Sequence, residues 1–106
     1  MAWIFLTLAG IMEIGWPIGF KLAQSPEYRI LGIVLASICI GFSAWFLFMA
    51  QKTIPMGTAY AVWTGIGAAG AFVVGVLFFN ETSTFLRWLG CALIILGVIT
   101  LRLSNN

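Results

Sequence analysis

Glu13 stands in the stretch GIMEIGWPIGFK, a carboxylate among apolar residues with a tryptophan three positions after it and a proline four after it. Residues three and four apart share a face of a helix, so Trp16 can offer its indole N–H to the acid and wall one side of it, while Gly10 leaves space on the other. Pro17 lacks an N–H and clashes with the carbonyl four residues back, which is that of Glu13. The helix is therefore expected to bend there and to release one backbone acceptor beside the acid. Taking a carboxylate out of water disfavours its ionised form unless a cation compensates it. Protonation and cation binding then compete at one group, which is the chemistry of a proton-coupled cation site. The plainer alternative is a permanently protonated acid that hydrogen-bonds a neighbouring helix and holds a bundle together. Lys21 lies about 12 Å further along the helix, too far for a direct ion pair, and reads either as an interface anchor or as a functional cation.

Few other polar groups fall inside the apolar runs. Ser37 and Ser43 are the hydroxyls of the second run, and a lone serine commonly bonds its own helix backbone, so Ser43 is either a site residue or merely self-bonded. The third run, GTAYAVWTGIGAAGAF, sets Tyr60 and Trp63 on one face and follows them with Thr64. Such an aromatic face suits a planar or quaternary cation beside a buried acid, or else an aromatic belt at the membrane interface. Gly65, Gly67 and Gly70 weaken this helix and imply either close packing or a flexible joint. Cys39 and Cys91 read as small hydrophobes. The sequence has no histidine, no paired acids within the apolar runs and no metal-ligand spacing, so nothing in it points to an enzyme, a metal or a cofactor.

The elements that must position Glu13 follow from composition. Of 106 residues, 62% are hydrophobic and only 8% charged, against about 25% charged in soluble domains. The chain reads as an all-α integral membrane protein, one domain over 1–106. Its four apolar runs predict helices over 2–22, 30–50, 57–79 and 85–103, each near the about 20 residues that cross a hydrocarbon core of about 30 Å. Arg87 and Arg102 bracket the last run closely and must snorkel toward the interfaces. The segments QSPEYR, QKTIPMG and NETST carry turn residues and charges and read as connections. The start, MAWIFLTLAG, lacks a basic leader region and reads as a retained first helix. A net charge of +2 is too small to argue for nucleic acid.

Short connections make neighbouring helices antiparallel. Lys52 and Arg102 then share a side with both termini, and Lys21, Arg29 and Arg87 lie on the other, which leaves almost no positive-inside bias. Copies are expected to insert both ways up, so that a homodimer of opposite orientations, with about eight helices, makes an inverted repeat around the polar groups. Gly90 and Gly97, on one face of the fourth helix, are the expected dimer seam, the alternative being packing within the chain.

These residues together resemble the small multidrug resistance transporters over essentially the whole length. The likeness is carried by MEIGWPIGFK, Ser43, the block PMGTAYAVWTGIGAAGA and the Gly90/Gly97 pair. Trp16 and the third-helix block are similar to those of the guanidinium-exporting members. The resemblance implies an antiparallel, dual-topology homodimer in the bacterial plasma membrane that exchanges one guanidinium-type cation for protons by alternating access, the two copies of Glu13 binding either species. It further implies that Trp16 and Ser43 hydrogen-bond and orient Glu13, that Tyr60 reaches the acid across the dimer, that Trp63 lines the pocket and that Gly65 and Gly67 mark a bend. Ile40, where multidrug members often carry tyrosine, favours guanidinium, and Pro17 departs from the small apolar residue common in that subgroup. Export of quaternary ammonium cations is the neighbouring alternative, and a non-transporting structural subunit the more distant one.

Overall fold

The computed structural model describes residues 1–104, and the four apolar runs are four helices: α1 (Ala2–Ala23), α2 (Arg29–Ala50), α3 (Met56–Phe78) and α4 (Phe85–Ser104). Each contains a window apolar enough to cross a membrane, with mean hydropathy from 1.4 in α1 to 2.3 in the second span. α1 is lowest because its window carries Glu13, Pro17 and several glycines. A single 3-10 turn, Pro26–Tyr28, joins α1 to α2. α3 ends where Asn80 takes a left-handed φ of 56°, and the N–H groups of Phe79 and Glu81 both donate to the carbonyl of Gly75. Asparagine tolerates that conformation better than most residues, which is why it closes helices.

α1 is the hub. It lies along α2 on one flank and α3 on the other, while the backbone of α4 approaches only that of α3. The approach of α1 to α2 rests on missing side chains: a Cβ on Gly19 would come within 2.6 Å of the Gly32 carbonyl oxygen and 2.8 Å of the Ala36 nitrogen. Lower down, the Cys39 thiol fills the notch at Gly15. Small residues that let backbones approach are the usual means of helix association where lipid removes the hydrophobic drive. At the end that holds the N-terminus, Leu6, Ala50, Ile54, Ala59 and Val62 form the buried core. There the Arg102 guanidinium lies 4.8 Å from the centroid of the Trp3 ring, so the beginning of α1 and the end of α4 share one side of the membrane.

The assembly is a thin slab, 47 × 34 × 16 Å. A helix with its side chains is about 10–12 Å across, so the short dimension is little more than one helix deep. Of the twenty residues of α4, only Cys91 is buried.

Pro17 lies inside α1, which continues past it to Ala23. Likewise α3 runs unbroken through Gly65, Gly67 and Gly70. Each of these glycines receives a neighbour: Val98 at Gly65, Glu13 at Gly67 and Ile14 at Gly70. Of the two readings open in the sequence, this conformation displays close packing.

Candidate functional site

Glu13 is held from two sides. Its Cγ rests on α3 where Gly67 has no side chain, 2.5 Å from the place a Cβ would take. Its Oε1 lies 3.4 Å from the hydroxyl of Ser43 on α2. Ser43 is fully buried, and its Oγ donates to the Ala9 carbonyl at 2.9 Å while accepting the indole N–H of Trp63 at 2.8 Å. The hydroxyl has one proton and two acceptors within reach, the Ala9 carbonyl and Glu13. When Glu13 is ionised the proton has reason to turn toward it; when Glu13 is protonated the acid can donate to Ser43 instead.

Four other hydroxyls of the spans behave differently. Thr7, Ser37, Thr64 and Thr100 each donate to a carbonyl of their own helix. Ser43 reaches across to another helix, which separates it from the self-bonded reading that the sequence leaves open.

Among the described residues no buried side-chain oxygen or nitrogen lacks a partner, so the second oxygen of Glu13, which accepts no hydrogen bond, faces open space. A groove of about 360 Å³ among α1, α2 and α3 is lined by Glu13, Trp16 and Trp63. Along α2, Ile40, Ala44, Leu47 and Phe48 make its apolar walls, and Gln51 stands at its mouth. The Trp16 ring packs edge-on against Phe20, centroids 5.2 Å apart, and among the described residues its N–H makes no hydrogen bond within the chain. It walls the groove without bonding the acid.

Tyr60 is 57% exposed. Its ring sits 5.4 Å from that of Trp63, and it does not line the Glu13 groove. Gly90 and Gly97 have nothing within 4 Å of where their Cβ atoms would be. Pro17 faces away from the acid, into a separate cleft of about 220 Å³ that it shares with Lys21, Phe72 and Glu81. A helix advances about 100° per residue, which puts Trp16 and Pro17 on opposite flanks of Glu13. The residue at position 17 therefore forms no wall of the Glu13 groove.

Sequence reasoning missed three features. The Ala9 carbonyl, as backbone, has no signature. Leu47 and Gln51 were legible in principle, since they follow Ser43 at successive helical returns on α2. Gln51 reads instead as part of the connection QKTIPMG.

The fold defines a small multi-pass membrane protein with one acid set into its helices. A family model described as Small Multidrug Resistance protein matches residues 1–94. The chain is 41% identical over 106 residues to the guanidinium exporter of Escherichia coli (strain K12), covering 100% of both. To that of Yersinia pseudotuberculosis it is 39% identical over 105 residues, 99% of this chain and 100% of the other. To that of Salmonella typhimurium it is 40% identical over 106 residues, again the whole of both. The chain belongs to the small multidrug resistance family.

Proposed function

We propose that this protein is a proton-coupled exporter of guanidinium and small substituted guanidinium cations in the bacterial inner membrane. The observation that carries the reading is the setting of Glu13: a carboxylate wedged between Ser43 and Gly67 that lines a groove walled by Trp16 and Trp63. A planar guanidinium pairs with a carboxylate through two parallel N–H···O bonds and stacks on aromatic rings. A quaternary ammonium can use the rings but has no N–H to give. The names of the relatives point the same way.

Proton and cation compete for Glu13, so loading one releases the other, and alternating access carries each across in turn. Ser43 and Trp63 hold the acid in place and Trp16 walls the bound cation. The working unit is an antiparallel, dual-topology homodimer with the two copies of Glu13 paired. Its support is the 16 Å slab, which leaves the groove open on one side, and the balanced loop charges. Gly90 and Gly97, vacant on α4, form the seam. Tyr60, exposed in one chain, reaches the partner's acid, and Gly65 and Gly67 let α3 bend during exchange.

Purified protein in liposomes tests the proposal. An imposed guanidinium gradient is expected to drive protons the opposite way, and Glu13→Gln to reduce that flux to the level of empty liposomes. No guanidinium-driven proton movement, with a tetraalkylammonium carried instead, would overturn it in favour of multidrug export. Full exchange by Glu13→Gln would reduce the acid to a structural hydrogen-bond donor.

A further inference from the structure

The groove does not end at the acid. From Glu13 it follows α2 to Gln51, the residue that caps that helix. Gln51 lies just over two turns beyond Ser43, about 12 Å along the axis. Between them the wall is apolar, made by Ala44, Leu47 and the ring of Phe48. A bare guanidinium paired with Glu13 touches only one end of this length.

The far end has its own chemistry. The N–H of Gln51 donates to the Leu47 carbonyl at 3.0 Å, which fixes its backbone. Its side chain is exposed and, among the described residues, makes no hydrogen bond. The Cα–Cβ bonds of a helix tilt toward its N-terminus, which from Gln51 is the direction of Glu13. The amide offers both a donor and an acceptor. Beside it, the Lys52 ammonium lies 5.5 Å from the centroid of the Phe48 ring, a positive charge at the same mouth.

We propose that Gln51 is a specificity residue for guanidinium cations that carry a short chain tipped with a neutral hydrogen-bonding group. The guanidinium pairs with Glu13, the methylenes lie on Ala44, Leu47 and Phe48, and the tip bonds the Gln51 amide. The inference rests on Glu13 being the cation site. The two ends select against neighbouring compounds for different reasons. A plain alkyl tip buries the amide without giving it a partner. A second ammonium meets the like charge of Lys52.

Four cations test it in proteoliposomes: guanidinium as the reference in every variant, butylguanidinium, its terminal-alcohol analogue and its terminal-amine analogue. The wild type is expected to prefer the alcohol to the alkyl compound, and Gln51→Leu to shift that ratio of apparent affinities toward the alkyl compound by about two- to tenfold, the range of one neutral hydrogen bond. Gln51→Glu places a carboxylate at the mouth and is expected to turn preference toward the amine, as is Lys52→Gln to a smaller degree. An alcohol-to-alkyl ratio that Gln51→Leu leaves unchanged overturns the proposal. Should that variant fail to reach the membrane, a Gln51→Glu protein that does not favour the amine overturns it instead. If the wild type exchanges none of the four, guanidinium included, the failure lies with the cation-site reading itself.

Discussion

Glycines divide this protein into two regions. In the wedge of α1, α2 and α3, the place of the missing Cβ is taken: by Ile66 at Gly10, the Cys39 thiol at Gly15, Glu13 at Gly67 and Ile14 at Gly70. On α4 and the outer face of α2, the same place at Gly90, Gly97 and Gly41 meets nothing within 4 Å. One residue type does opposite things. Inside, each glycine is an occupied socket that sets helix spacing and, at Gly67, the position of the acid. Outside, the sockets are vacant, and α4, which carries two of them, has a single buried residue. One chain completes the cradle of Glu13 and leaves unfinished the surface that would enclose it.

Substitutions can break or sharpen that contrast. The largest effect belongs to Gly19→Ala, because the new methyl meets backbone atoms of Gly32 and Ala36 that only separation of α1 from α2 can clear. The cost should exceed the about 1–3 kcal/mol of ordinary overpacking, read as loss of monodisperse protein in detergent, while Gly41→Ala retains it. Equal behaviour of the two would erase the distinction.

Gly67→Ala comes next. The obstructed group is the flexible Glu13 side chain, so the fold should hold with a penalty of about 1–3 kcal/mol. The displaced carboxylate should bind guanidinium about tenfold more weakly, the equivalent of about 1.4 kcal/mol. Unaltered affinity would mean that the socket does not position the acid.

Ser43→Ala removes the donor to Ala9 and leaves the Trp63 N–H unpaired, which should lower stability by about 1–3 kcal/mol. Ser37→Ala, on the outer face of the same helix, should stay within about 0.5 kcal/mol. Thermal melts of the pair measure the difference between a cross-helix hydroxyl and a self-bonded one. The smallest effect is that of Gly97→Ala: filling the proposed seam should weaken the proposed dimer by about 1 kcal/mol, roughly fivefold, seen as reduced cross-linking in bilayers. Undiminished cross-linking would place the seam elsewhere.

Much of this was legible in the sequence because membrane composition leaves few choices. Four apolar runs, each near the thickness of a bilayer, had to be four helices, and a carboxylate among them had to be special. Residues bound to Glu13 by helical periodicity were placed on the right helix face but not in the right contacts. Trp16 shares the groove yet packs on Phe20, and Pro17 looks into the Lys21 cleft, because the groove lies along one flank of α1 only. Ser43 was undecidable for a longer-range reason. Whether its hydroxyl turns to its own helix or to Ala9 depends on how α2 is rotated against α1. That rotation is fixed by the contacts of Gly15 with Cys39 and of Gly19 with Gly32, pairs far apart in sequence. Gln51 escaped notice because a polar residue beside a lysine looks like a connection until α2 is seen to carry it to the mouth of the groove.

The central claim is that one carboxylate serves both proton and cation. Titrating guanidinium binding across a range of pH, on the wild type and on Glu13→Gln, tests it most directly. Wild-type affinity is expected to weaken as pH falls, with protons released on binding near the midpoint, and Glu13→Gln to bind at no pH. Wild-type affinity independent of pH, or guanidinium binding by Glu13→Gln as strong as that of the wild type, would contradict it.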